Sequence, residues 1–211
     1  RSGGLYLYEK YIGPLNGIYE TDDAVVIYVS TGVPDSNEGR VGRHKFDLIR
    51  EGLKRHSDKK YKILALHHHV LPIPMSGRER NVLSNAGDIL DLIIRADVDL
   101  VLSGHRHYPN VYKVENTVFI NAGTVSSRKT RYGDLNSYNL IEIDDNSREV
   151  TTRRVDGTES TRRFPRRERH IHSKFGRHVF RTVQMSNTYI SDTRAFLPQH
   201  FQNAIDTMQE L

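Results

Sequence analysis

The 211-residue sequence has no cysteine. That excludes disulfides, thiolate zinc sites and a cysteine nucleophile. It also lacks any apolar run near the ~18 residues that would suggest a membrane-spanning helix, so no membrane partner is expected. The start, Arg1-Ser2-Gly3-Gly4, carries neither an initiator Met nor an apolar signal region, and the chain reads as a fragment. A cytoplasmic location is the default expectation. Apolar residues are sparse at 36%, against 27% charged, which suits one domain with a limited core, or one domain plus an appendage.

The net charge of +5 is unevenly distributed. Residues 151–181 hold ten Lys or Arg against three acids (Asp156, Glu159, Glu168), a net of +7 that leaves −2 for the rest. A cationic stretch of this kind can track the phosphates of nucleic acid, non-specifically and with strong salt dependence. It can equally be a solvated linker.

Along the chain, Ala24–Val29, Tyr61–Leu66 and Asp99–Ser103 read as short buried strands. A helix with Phe46, Ile49 and Leu53 on one face follows the first. A longer helix, roughly Asn81 to Ala96, has Ile89, Leu92, Ile93 and Ala96 at helical spacing. Val111–Val114 and Thr117–Ile120 flank Glu115-Asn116 as a tight hairpin. Ser137–Ile143 and Glu149–Val155 are further strands, Phe180–Met185 is another, and Pro198–Leu211 reads as a helix. The β-α-β-α-β start followed by mostly β predicts an α/β fold, one sheet with helices outside and a second sheet stacked on it. The expected division is a domain over 1–155, a basic linker over 156–178, and a strand-helix unit over 179–211. Asn116 and Asn121 read as turn residues.

Two histidine clusters carry the chemistry. His67-His68-His69 follows Ile63-Leu64-Ala65-Leu66, and His105-Arg106-His107 follows Leu100-Val101-Leu102-Ser103-Gly104. Each lies at the carboxyl end of a strand, the edge where ligands bind in open α/β sheets. Imidazoles pooled at one rim suit a first-row divalent ion with an open coordination position.

Leu66 to Pro72, followed by Ser103-Gly104-His105-Arg106-His107, resembles the late signature of the calcineurin-like metallophosphoesterases. The loop Pro34–Gly42 and the stretch Asn121 to Ser127 resemble that family's flanking segments, and the likeness covers roughly residues 1–145. It implies two stacked mixed sheets flanked by helices, an αββα sandwich, incomplete or permuted here. It implies two divalent ions (Mn, Fe or Zn) that activate a hydroxide to hydrolyse a phosphate ester, more so a phosphodiester such as a nucleotide or nucleic acid. On the resemblance, His67 and His105 go to one metal and His107 to the other. His68, His69 and Arg106 are candidates to orient the site or contact phosphate.

The family's early motifs, Asp-x-His, Gly-Asp-x-x-Asp and Gly-Asn-His-Asp/Glu, do not precede His67. Residues 181–211 resemble the family's first strand and helix, but the expected Ser-Asp-x-His reads Ser186-Asn187-Thr188-Tyr189. Asn187 is thus a metal-ligand candidate with a carbonyl oxygen and no charge. The order resembles a permutation, or the junction of tandem copies, without the bridging carboxylate. The chain alone is therefore expected to be weakly active or inactive. The alternative is a catalytically impaired module that binds nucleic acid or a protein partner through residues 151–181. A third reading is a homo-oligomer whose second subunit supplies the missing strand.

Overall fold

A computed structural model describes residues 8–33, 36–74, 83–166 and 180–184. The first sheet has six strands: β1 (Asn16–Glu20), β2 (Ala24–Val29), β3 (Tyr61–Leu66), β4 (Leu100–Ser103), β5 (Asn110–Val114) and β6 (Thr117–Asn121). Their spatial order is β1-β2-β3-β4-β6-β5. The four central strands run parallel, and β1 and β5 close the edges antiparallel. Parallel strands covered on both faces need apolar side chains on both, and β3 and β6 are accordingly almost wholly buried.

Helices α1 (Arg43–Arg55) and α2 (Ala86–Arg95) cover one face of this sheet. Ile49 and Leu53 of α1 and Ile89 and Ile93 of α2 pack there with Val25, Ile27, Leu64, Val101 and Phe119. The alternate residues Tyr61, Ile63, Leu100, Val118 and Ile120 point the other way, against Ile141, Ile143 and Val150. That second layer is a four-stranded antiparallel sheet, in which β7 (Ser137–Ile143), β8 (Ser147–Arg154), β9 (Glu159–Pro165) and β10 (Phe180–Gln184) lie in the order β10-β7-β8-β9. The expected α/β architecture of two stacked sheets is therefore present. Among the described residues the helices flank only the first sheet. None of them is long and apolar enough to cross a membrane.

Three sequence expectations change. Residues 156–165 are not a linker: a turn with Gly157 at φ +86° leads into β9, which pairs along β8 from Arg153↔Glu159 to Ser147↔Pro165. Their composition looks like linker, but Phe164 packs against the inter-sheet core. The second helix starts at Ala86, not near residue 81. Ser84 N–H is spent on Gly39 O, and the Asn85 side-chain amide donates to Val41 O, so the segment before Ala86 is tied to the loop at Gly39–Val41. Strand β1 was not anticipated at all. The Pro198–Leu211 helix lies outside the described residues.

A buried charge cluster joins the two sheets at the amino end of β4. Asp99 Oδ1 accepts from Arg148 Nη2 (3.3 Å) and Arg166 Nε (2.9 Å), and Oδ2 accepts from the Lys62 amide (2.9 Å). The Arg166 guanidinium lies 4.8 Å from the Tyr61 ring centroid. The two arginines hold the β8–β9 hairpin against the first sheet, at the end opposite the histidines.

Candidate metal centre

Strands β3 and β4 are parallel neighbours, with Ala65 paired to Leu102, so their carboxyl ends emerge side by side. His67 and His105 leave those ends and meet with Nε2 and Nδ1 3.2 Å apart. The two loops are also tied by the backbone, since Gly104 N–H donates to His67 O at 3.0 Å. Ligand atoms of His67, His68 and His105 all lie within 4.8 Å of one another.

The three adjacent histidines are not equivalent. The His67 side chain is exposed, while His68 and His69 are each 3% exposed. His68 has both ring nitrogens engaged. Its Nε2 faces Asn37 O at 3.3 Å, and a carbonyl only accepts, so Nε2 carries the proton. Nδ1 then accepts from the Thr31 hydroxyl at 2.8 Å. That leaves His68 no lone pair for an ion without breaking a bond, despite its position in the cluster. His69 is stacked on His105 with centroids 6.3 Å apart, and its buried Nδ1 has no hydrogen-bond partner among the described residues.

His107 Nδ1 lies 2.9 Å from Lys129 O. It must donate there, which makes Nε2 the atom able to coordinate. A carbonyl behind the imidazole is the usual way a protein fixes a ligating histidine's tautomer. Arg106, 4% exposed, is buried between the two histidines of its loop.

The loop is held in an unusual backbone form. His105 has φ +71° and His107 φ +53°, and Arg106 N–H donates to Gly104 O at 2.8 Å. That is a γ-turn of the rare positive-φ kind centred on His105. Non-glycine residues in such regions cost about 1–3 kcal/mol each and persist where surroundings over-determine them, commonly at functional sites.

Burial depresses all five imidazoles. Desolvation first, then the neighbouring His68 and His107, brings His67 down to about 4. Desolvation, then Arg106 and the adjacent histidines, takes His69 to about 4. His105 falls to about 3, chiefly by desolvation, with His68, His67, His69 and Arg106 adding repulsion. His68 and His107 are lowered by desolvation, opposed by their bonds to Asn37 and Lys129. Near neutral pH these rings are uncharged, the form in which imidazole binds a metal. His67, though an exposed residue, shares this low proton affinity chiefly through desolvation of its ring, with His68 and His107 adding repulsion.

Of the sequence candidates, the structure brings together His67, His68 and His105, with His69, Arg106 and His107 alongside. Asn187 lies outside the described residues. Sequence reasoning missed Thr31 and Asn37, which clamp His68; neither stands beside a histidine in the chain. It also misread Asn121. This is a buried strand residue whose Nδ2 donates to Tyr108 O at 2.6 Å, just beyond the His107 loop.

The basic stretch is largely neutralised where it is described. Arg153, Arg154 and Arg181 pair with Glu159, Asp134 and Glu142, and Arg166 is buried on Asp99. Arg162 donates to Val111 O. Arg167, Arg169, Lys174 and Arg177 lie outside the described residues.

Stacked sheets with histidines at adjacent strand ends are the arrangement that the resemblance to metallophosphoesterases implied. Two solved structures share the chain's fold. GAP50, the anchor in the inner membrane complex of Plasmodium, aligns with TM-score 0.54 and 15% identity over 74% of this chain and 55% of that one. Purple acid phosphatase PPD1 from yellow lupin seeds aligns with TM-score 0.53 and 12% identity, over 72% and 32%. No family model matches the sequence. In sequence, the chain is 30% identical over 77 residues to the 3',5'-cyclic adenosine monophosphate phosphodiesterase CpdA of Haemophilus influenzae. That match takes in 36% of this chain and 27% of the relative, so the chain spans little more than a quarter of that protein's length. Fold, histidine placement and this sequence likeness point to the calcineurin-like metallophosphoesterase family.

Proposed function

We propose that this chain carries the late half of a metal-dependent phosphoesterase site, acting on a phosphodiester of the nucleotide type. The observation that carries the reading is the 3.2 Å separation of His67 Nε2 and His105 Nδ1. Two nitrogens bound to one tetrahedral ion at ~2.0–2.1 Å would stand about 3.3 Å apart. Without an ion one ring shares its proton with the other, so the pair is already aimed at a common point. The cyclic-nucleotide phosphodiesterase relative supports the substrate class.

In this reading His67 and His105 hold one divalent ion. His107 offers Nε2 to a second, with Lys129 O fixing its tautomer. Bound divalent ions would supply Lewis acidity and a hydroxide near neutral pH for in-line displacement at phosphorus. His68 is a support rather than a ligand, locked by Thr31 and Asn37. The buried Arg106 keeps its neighbours deprotonated and adds positive potential for an anionic ester.

The donor set fits one ion better than two. Among the described residues no carboxylate joins the histidine cluster, and two dications side by side need anionic ligands. The missing carboxylate would come from residues outside the described set or from a second copy. The domain at 1–155 would accordingly be extended by β9 and β10 into one unit. We expect the isolated chain to bind about one Mn²⁺ per molecule and to hydrolyse bis-(p-nitrophenyl) phosphate weakly or not at all. Elemental analysis after dialysis, repeated on the His67→Ala/His105→Ala variant, tests this. Retention of metal by the double variant would overturn the assignment, and robust hydrolysis by the wild-type chain would show the site to be complete.

A further inference from the structure

Strand β10 lies in the second sheet, yet its last residue reaches into the first. Gln184, 8% exposed, donates its Nε2 hydrogens to Ser103 O (2.9 Å) and Ile120 O (3.1 Å). These carbonyls lie near the carboxyl ends of β4 and β6. Ser103 is the residue before Gly104-His105. The Gln184 carbonyl is itself oriented: Asn139 Nδ2 donates to its Oε1 at 3.1 Å, and the Thr152 hydroxyl donates to Asn139 Oδ1 at 2.8 Å. Gln184 and Asn139 are direct cross-strand partners.

This chain of polar groups crosses the inter-sheet layer just below the γ-turn. An apolar side chain would fill that layer as well, so core packing alone does not call for an amide there. What the amide adds is direction. It adds a second donor to Ser103 O, which already accepts the Ala122 N–H, and to Ile120 O, which already accepts the Ser103 hydroxyl, and so ties the second sheet to the ends of both β4 and β6. The far side of the same loop is held by Asn121 Nδ2 on Tyr108 O. A backbone form as unfavourable as φ +71° at His105 needs such anchoring on both sides.

We infer that Gln184 is a positioning residue for the histidine centre, acting from the second sheet through the Ser103 and Ile120 carbonyls to hold His105 against His67. The inference rests on the metal-site reading for its functional consequence, but not for its structural one. Outer-shell partners of metal ligands are worth roughly 10–100-fold in affinity when removed.

The test uses the full chain with Gln184→Met, which keeps length and loses both donors, and Gln184→Glu, which keeps shape but presents acceptors to the two carbonyls. Thr152→Val is a milder third variant, should the others fold poorly. Two measurements are made on each. Amide hydrogen exchange in the metal-free chain is read at Gly104 and Arg106, with Ile63 and Leu64 of β3 as internal controls. Co²⁺ affinity is read from the d–d spectrum. We expect at least about tenfold faster exchange at Gly104 and Arg106 with β3 unchanged, and about tenfold weaker Co²⁺ binding. Thr152→Val should show a smaller change in the same direction. Equal loss of protection in β3 would mean only general destabilisation, and would overturn the inference, as would unchanged exchange at the two loop amides. If wild-type chain binds no Co²⁺ while the variants still free the loop amides, the metal reading fails and the positioning role stands.

Discussion

Replacing Asp99 by Asn should destabilise the chain severely while leaving its shape almost untouched. The carboxylate is fully buried, as is Arg148, and the Arg166 side chain is 3% exposed. One anion thus faces two guanidinium groups and also accepts the Lys62 amide. The asparagine keeps one acceptor but turns an NH₂ toward existing donors and removes the negative charge that both guanidinium groups share. Two cations are then left facing each other without their shared counter-charge. Breaking a buried pair by removing one partner costs about 3–5 kcal/mol. A chain of this size shifts Tm by ~2–4 °C per kcal/mol, so thermal unfolding should move down by about 6–20 °C. Asp91→Asn is the control. It breaks the exposed Arg95–Asp91 pair on α2 and should leave Tm unchanged within error. The assay is far-UV circular dichroism against temperature at pH 7, checked by urea midpoints. A fall in Tm of under 2 °C for Asp99→Asn would refute the reasoning, because the cluster would then contribute no more than a surface pair. The triple replacement Asp99→Leu, Arg148→Met, Arg166→Met should recover much of the loss, since an apolar layer has no charge to compensate.

Acid should unfold the metal-free chain early. His69 has a folded value of about 4 against 6.5 when free. Above pH 6.5 both states leave it neutral; between 6.5 and 4 the unfolded chain takes a proton that the fold refuses; below 4 the loss levels off. His69 alone would then remove about 3 kcal/mol across that window, and Tm measured from pH 7 to 4 should fall less steeply in His69→Gln. A pH-independent Tm in the wild type would contradict the burial of the ring. Gly39→Ala is the second case. A Cβ there would overlap the His68 ring, whereas one at Gly42 meets nothing. We expect Gly39→Ala to cost about 1–3 kcal/mol and to weaken Co²⁺ binding, with Gly42→Ala neutral; equal behaviour of the two would remove the clamp on His68 from the account.

The strands that deliver the histidines were readable because their chemistry is redundant. Ile63 to Leu66 and Leu100 to Leu102 are apolar on both faces, short, and bounded by polar residues, and no other element suits that pattern. The hairpin at Glu115-Asn116 was readable for the same reason. Strand β9 was not, because its inward positions include Arg162, whose guanidinium bonds Val111 O and so hides the alternation behind a charge. Strand β1 offers only the half-buried Ile18 to the core, on an exposed edge. At the centre itself, the sequence placed the imidazoles at one rim but could not rank three identical neighbours. Their ranking depends on Thr31 and Asn37, more than 30 residues away, which consume the His68 lone pair and leave His67 facing outward. The polar support under the loop was equally hidden. Asn121 looks like a turn residue, and Gln184 like any strand-end amide, until the carbonyls they meet are known.

The contact between His67 and His105 joins residues 38 apart in the chain, across a parallel strand pair aligned as Ile63↔Leu100, Leu64↔Val101 and Ala65↔Leu102. A strand advances about 3.3 Å per residue, the same as the gap between the two nitrogens. A slip of one residue between β3 and β4 would therefore displace one ring by about the length of that gap and break the contact, and would also turn Ile63 and Leu64 toward the wrong layers. The histidine pair is thus a molecular vernier for the centre of the sheet. A ligand that requires both rings selects one alignment out of the several that an apolar strand pair could adopt during folding, and it can bind only after that alignment is reached.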